Sequence, residues 1–155
     1  MEVAFCWTGS QAHVKDRFRS TPLHLWFPLF ALPITWHSLV VQEDAESLPT
    51  MSNVIDHRGE LKDFLCTAHL IEQCDLTITV DTATAHLAGS LSKPYWLLLP
   101  NPPEWRWGTM STSTVWYPLA ILYRQPAPGA WEPVFARIHA DLSALLAGCA
   151  TQIVS

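Results

Sequence analysis

Two short runs of this sequence carry the groups needed to grip a phosphate. The first is Thr8-Gly9-Ser10, followed shortly by Lys15, Arg17 and Arg19. Glycine tolerates a positive φ and lets a ligand come close to the backbone. Nearby cations neutralise phosphate oxygens. The run is neither a Walker A sequence nor a G-x-G-x-x-G fingerprint, and an ordinary turn with a solvated basic loop is built from the same residues. The second run is Asp81-Thr82-Ala83-Thr84-Ala85-His86. It reads as the junction between a buried strand and a short helix. The first N–H groups of a helix have no partner within it and sit at the positive end of its dipole, which suits a diphosphate. Thr82 or Thr84 can cap that helix or donate to a phosphate oxygen, while Ala83 and Ala85 leave room for a ligand. His86 falls in the first turn, where the dipole disfavours an imidazolium unless an anion is bound. A plainly capped helix with a half-buried His86 is the competing reading.

Other candidates are more diffuse. Trp105, Arg106, Trp107 and Trp116 stand in a Trp- and Pro-rich segment, residues 101–116, that reads as a long irregular loop. Such a loop can stack on a base or sugar and offer Arg106 to a phosphate, but a small satellite core has the same composition. Asp56, His57, Arg58 and Glu60 read as a strand end and a helix cap. His13, His24, His37, His69 and His139 are scattered without ligand spacing, so no metal site is expected.

These groups need a scaffold. Apolar runs predict strands over residues 2–7, 35–41, 53–56, 75–80, 94–99 and 119–123. Helices are expected over 22–32, with Pro22 at the first helical position and a break at Pro28, and over 60–73, with Leu61, Phe64, Leu65, Ala68 and Ile71 on one side. Two more are expected over 83–91 and 131–146. Strands alternating with helices indicate a Rossmann-like α/β fold, a doubly wound parallel sheet with helices on both faces. In the strand order 3-2-1-4-5-6, the first and fourth strands flank the switch point where ligands bind. Both phosphate-gripping runs leave those two strands. A single domain over residues 1–147 is expected, with a flexible tail over 148–155. The chain opens almost directly in a buried strand, which suggests a fragment or a lost upstream domain.

Composition narrows the partners. Of 155 residues, 49% are hydrophobic and 15% charged, which disfavours disorder. The net charge is −5 with no Lys/Arg block, so nucleic acid is disfavoured as a main partner. Cys6, Cys66, Cys74 and Cys149 form no C-x-x-C pair and read as reduced thiols. No signal peptide is visible. The most apolar stretch, residues 23–36, is broken by Pro28 and Pro33 and is too short to span a membrane. A soluble, cytoplasmic setting is expected.

The run Asp81-Thr82-Ala83-Thr84-Ala85-His86-Leu87-Ala88-Gly89-Ser90-Leu91-Ser92-Lys93-Pro94 closely resembles the D-T-(G/A)-x-x-H-L-A-(A/G)-x-L-x-x-P run of glycosyltransferase family 9. That family contains the heptosyltransferases and related lobes fused to tetratricopeptide repeats in bacterial proteins. The fused type is the closer match. Its flavour recurs in Cys6-Trp7-Thr8-Gly9, Asp16-Arg17-Phe18-Arg19-Ser20, Trp105-Arg106-Trp107, and Trp116-Tyr117-Pro118 through Arg124-Gln125. The resemblance covers residues 3–146 and implies the C-terminal, donor-binding lobe of a two-lobed GT-B enzyme, whose substrate is a nucleotide diphosphate-sugar. By position, Asp81, Thr82, Ala83, Thr84 and His86 would surround the donor diphosphate and sugar. The loop of Thr8, Gly9 and Ser10, with Lys15 or Arg17, would approach the phosphates. Gln42, past the second strand, would lie near the nucleoside. Ala83 stands where heptosyltransferases usually carry Gly. Such transferases hold their donor without a divalent ion, so no metal or cofactor is implied. The acceptor base would belong to a missing N-terminal lobe; that lobe or a tetratricopeptide repeat domain is the expected partner, and the isolated chain is expected to transfer little or no sugar. The alternative is a non-catalytic scaffold or interaction module with a vestigial nucleotide pocket. A phosphate-handling hydrolase would need more carboxylates at the strand ends than Asp81.

Overall fold

A computed structural model of the chain describes residues 1–9 and 16–152, without the side chains of residues 16, 17 and 149–152. At its centre is a six-stranded sheet in the order β3-β2-β1-β4-β5-β6, with every neighbouring pair parallel. The strands are β1 (Glu2–Cys6), β2 (Thr35–Ser38), β3 (Val54–Asp56), β4 (Leu76–Val80), β5 (Tyr95–Leu99) and β6 (Ala120–Arg124). The expected doubly wound, Rossmann-like α/β fold is present. Central β4 and β5 are buried at every position, because a strand covered on both faces has no solvent side to alternate with.

Between β1 and β2 run α1 (Asp16–Arg19), a 3-10 turn over Leu23–Trp26, and α2 (Phe27–Phe30). The other helices are α3 (Phe64–Gln73), α4 (Ala83–Ser90) and α5 (Glu132–Gln152). Helix α3 packs against β1 and α4, whereas α5 packs against β6 and the 23–26 turn. Phe5 and Trp36 meet Trp26 and Phe30 on the α5 side, and Phe135 of α5 closes over Trp26 with ring centroids 5.3 Å apart. By strand parity Ala4 and Cys6 face the other way, toward α3 and α4.

Local chemistry moves several boundaries. The helix expected over 22–32 splits at Pro28, which has no N–H to continue the turn before it and sits instead at the start of α2. Strand β2 stops at Ser38 because the Ser38 hydroxyl accepts from Val40 N at 3.3 Å and draws that amide out of the ladder. Helix α3 starts at Phe64, capped by Asp63 accepting from Cys66 N at 2.8 Å. Its expected apolar side is corrected too. Phe64 and Leu65 are 66% and 77% exposed, and the buried positions are Thr67 and Ile71, since only from the second turn does the helix lie over the sheet. Helix α5 continues to Gln152, past residue 146 and into the span expected to be a tail, carried by strong helix formers that outweigh Gly148. Residues 153–155 lie outside the described part. No helix among the described residues is long and apolar enough to cross a membrane.

Candidate functional site

The carboxyl ends of β1 and β4 meet at the switch point of the sheet. Helix α4 leaves β4 there, with Thr82 as its extended N-cap residue. The Thr82 hydroxyl makes no cap; it turns back to the Val80 carbonyl at 3.4 Å. The helix entrance is therefore not plugged by its own N-cap side chain. Ala83 is exposed, and Thr82 and Thr84 are half-buried beside it. Asp81 is buried, and its carbonyl accepts from Arg19 Nη1 at 3.1 Å. Arg19 is thus the described member of the basic loop that reaches the end of β4. Lys15 and Ser10 lie outside the described residues, as does the side chain of Arg17.

On the β1 side, Thr8 and Gly9 are tied to Ser20. The two hydroxyls are 3.1 Å apart, and Gly9 N donates to Ser20 Oγ at 3.3 Å. The Cys6 thiol donates to the Thr8 carbonyl at 3.2 Å and lies near Thr82 and Thr84; burial pushes its pKa up, so it is an uncharged thiol. Gln42 is half-buried beyond the end of β2, and its Oε1 is buried with no partner among the described residues.

His86, in the first turn of α4, turns to the β5–β6 side. Arg106 Nη1 lies 3.1 Å from His86 Nε2, and Tyr117 Oη lies 3.0 Å from His86 Nδ1. The imidazole stacks on Trp107 at a centroid distance of 5.6 Å. Burial, and next the Arg106 charge, hold its pKa below the usual histidine value, as suits a ring that receives a guanidinium N–H. Around it opens a cleft of about 330 Å³ lined by His86, Trp105, Arg106, Trp107, Trp116 and Tyr117. Of the Trp-rich segment, Trp107, 2% exposed, joins the main hydrophobic core, while Trp105 and Trp116 are 79% and 60% exposed.

The loop that carries these rings is held from the edge strand. Arg124 on β6 donates to the carbonyls of Gly108 and Ser111 at 2.8 Å each, and to that of Trp107. Gly108 takes a φ of +59° in the same turn. Gly89 on α4 is required by close approach, because a Cβ there would lie 2.3 Å from the Tyr117 ring. Sequence spacing has no means of joining His86 to Tyr117 or Arg124, which come from later elements. The one signal is Gly89, a small residue inside a helix.

A second polar chain lies on the β1–β3 half. His37 Nδ1 is 3.0 Å from His57 Nε2, and their outer nitrogens bond Glu2 and Glu60, each at 2.7 Å. It joins β1, β2 and the turn after β3, away from the aromatic cleft. Among the described residues no group of three or more His, Cys, Asp or Glu is arranged to hold a metal ion.

Fold and site define a doubly wound α/β domain whose α4 entrance at the switch point has no side-chain cap from Thr82, and whose His86 lines an aromatic cleft. No family model matches the chain. It is similar to Protein FlbA of Caulobacter vibrioides (strain ATCC 19089 / CIP 103742 / CB 15), 25% identical over 152 residues, which cover 91% of this chain and 25% of FlbA. The chain thus spans about a quarter of the length of that relative. No solved structure matches it.

Proposed function

We propose that this domain binds a nucleotide diphosphate-sugar as the donor lobe of a glycosyltransferase of the family 9 type. One observation carries this most directly. The entrance of α4, free of its own N-cap side chain, lies at the β1–β4 switch point beside Arg19, and His86 in the same first turn lines a cleft wide enough for a ring. Amide N–H groups at such an entrance hold a diphosphate. As the sugar departs, negative charge builds on the β-phosphate, and fixed donors stabilise it without having to reorganise. Beyond β2, Gln42 Oε1, buried and without a partner among the described residues, is an acceptor of the kind that a ribose hydroxyl or a base N–H would meet.

In this proposal the acceptor, and the base that activates it, belong to a further lobe, with a repeat domain as another neighbour. The setting is cytoplasmic, where nucleotide sugars are made; Cys6, Cys66 and Cys74 are free thiols, as a reducing compartment leaves them. Isothermal calorimetry with UDP-, ADP- and GDP-sugars tests the donor site. Binding of one of them, weakened about tenfold or more by Thr82→Ala combined with His86→Ala, is the expected outcome. No heat with any of the three would instead favour an interaction module, for which the exposed Phe64 and Leu65 offer an apolar contact.

A further inference from the structure

The cleft beside His86 is polar in one sense only. Arg106 can donate but not accept. Since it donates to His86 Nε2, His86 carries its proton on Nδ1 and gives it to Tyr117 Oη, and the phenol hydrogen is left to donate elsewhere. Trp107 lines the cleft with its ring, and its buried indole N–H finds no acceptor among the described residues. None of the lining residues is a carboxylate. The exposed rings of Trp105 and Trp116 supply apolar walls. The Arg106 guanidinium and the Tyr117 hydroxyl, with no carboxylate among the described lining residues and with aromatic walls beside them, suit a ring that carries an acceptor-rich anion.

The place of the cleft says which part of the donor enters it. In the sheet order, β2 and β5 lie on opposite sides of the β1–β4 pair. A nucleoside reaching toward β2 and Gln42 leaves the β5 side to the group on the other phosphate. His86 stands about one helical turn, roughly 5 Å, beyond the entrance of α4, within reach of a sugar whose phosphate is held there. We infer that the cleft takes the glycosyl part of the donor and selects a sugar acid, with its carboxylate on Arg106 and Tyr117 and its ring against Trp105 and Trp116. This rests on the donor-lobe proposal.

The test uses tryptophan fluorescence of the full chain, titrated with D-glucuronate, D-glucose and inorganic phosphate, and separately with UDP, ADP and GDP. Expected is a saturable response to glucuronate, at least about tenfold tighter than to glucose and stronger than to phosphate. Arg106→Gln and Tyr117→Phe, checked to melt like the wild type, should each weaken it about fivefold or more. Equal affinity for glucuronate and glucose, an equal response to phosphate, or variants that bind like the wild type would overturn the inference. A nucleoside diphosphate that binds while glucuronate does not would defeat the sugar-acid assignment alone. Glucuronate bound by a chain that takes no nucleoside diphosphate would defeat the donor reading and leave the sugar-acid cleft standing.

Discussion

The molecule holds two aromatic clusters built from the same residue types and put to different use. In the first, Phe5, Trp26, Phe30 and Trp36 are sealed between the sheet and its covering helices, with none of their surface exposed. Their rings meet largely at steep angles, as between Phe5 and Trp36 at 88°, the arrangement that matches positive ring edges to negative faces. In the second, Trp105, Trp107, Trp116 and Tyr117 stand on the irregular segment between β5 and β6, and two of the indoles turn outward. Each cluster contains a buried indole N–H without a partner among the described residues, Trp36 Nε1 in one and Trp107 Nε1 in the other. Regular elements cover rings and make them packing. A loop held by hydrogen bonds leaves ring faces and donors available for recognition.

The largest effect should come from the sealed cluster. Trp36→Ala is expected to cost about 3–5 kcal/mol, a large share of a small domain's stability, measured by urea denaturation. A loss under about 1 kcal/mol would mean this cluster is not the core it appears. Next comes the clasp under the loop. Arg124→Met removes the donors to the Trp107, Gly108 and Ser111 carbonyls and should cost about 1–3 kcal/mol. Unlike the core change, it should also raise hydrogen exchange selectively around residues 105–113. Exchange unchanged there would show that the loop holds itself.

Acidification separates the clusters more gently. The His86 pKa is lowered in the fold by burial and by Arg106, so the unfolded chain takes up a proton more readily than the folded one. The stability that neutral His86 contributes is full above the ordinary histidine value near 6.5 and is lost as pH falls through the lower folded value. Melting curves should therefore show the advantage of wild type over His86→Gln shrinking from about pH 7 to about pH 5. An advantage that grew over that range would reverse the sign and contradict the neutral-ring geometry. Smallest of all, Trp105→Ala should change stability by no more than about 0.5 kcal/mol, because the side chain is largely exposed, yet it should weaken any ligand that stacks in the cleft.

Much of the fold was legible residue by residue. The apolar run Tyr95–Leu99 could only be a doubly covered strand, and Asp81 to His86 read directly as a strand-to-helix junction at the switch point. Phe64 and Leu65 misled because helical spacing reports a potential face, not whether the sheet extends beneath it. Arg19 stands in the sequence beside Lys15 and Arg17, but nothing there says which of them the loop folds toward Asp81.

A parallel sheet with helices on both faces, and a helix beginning just after the fourth strand, can be read from the chain alone, because they follow from local hydrophobic period, glycine and proline; the strand order expected is the common one for such folds, and the structure has it. It takes the folded arrangement to bring His86 to Arg106 and Tyr117, to make Gly89 give way to the Tyr117 ring, and to put Trp107 inside and Trp105 out. Those outcomes depend on contacts between residues far apart in the chain, where no period links one to the next and only the packed sheet brings them together.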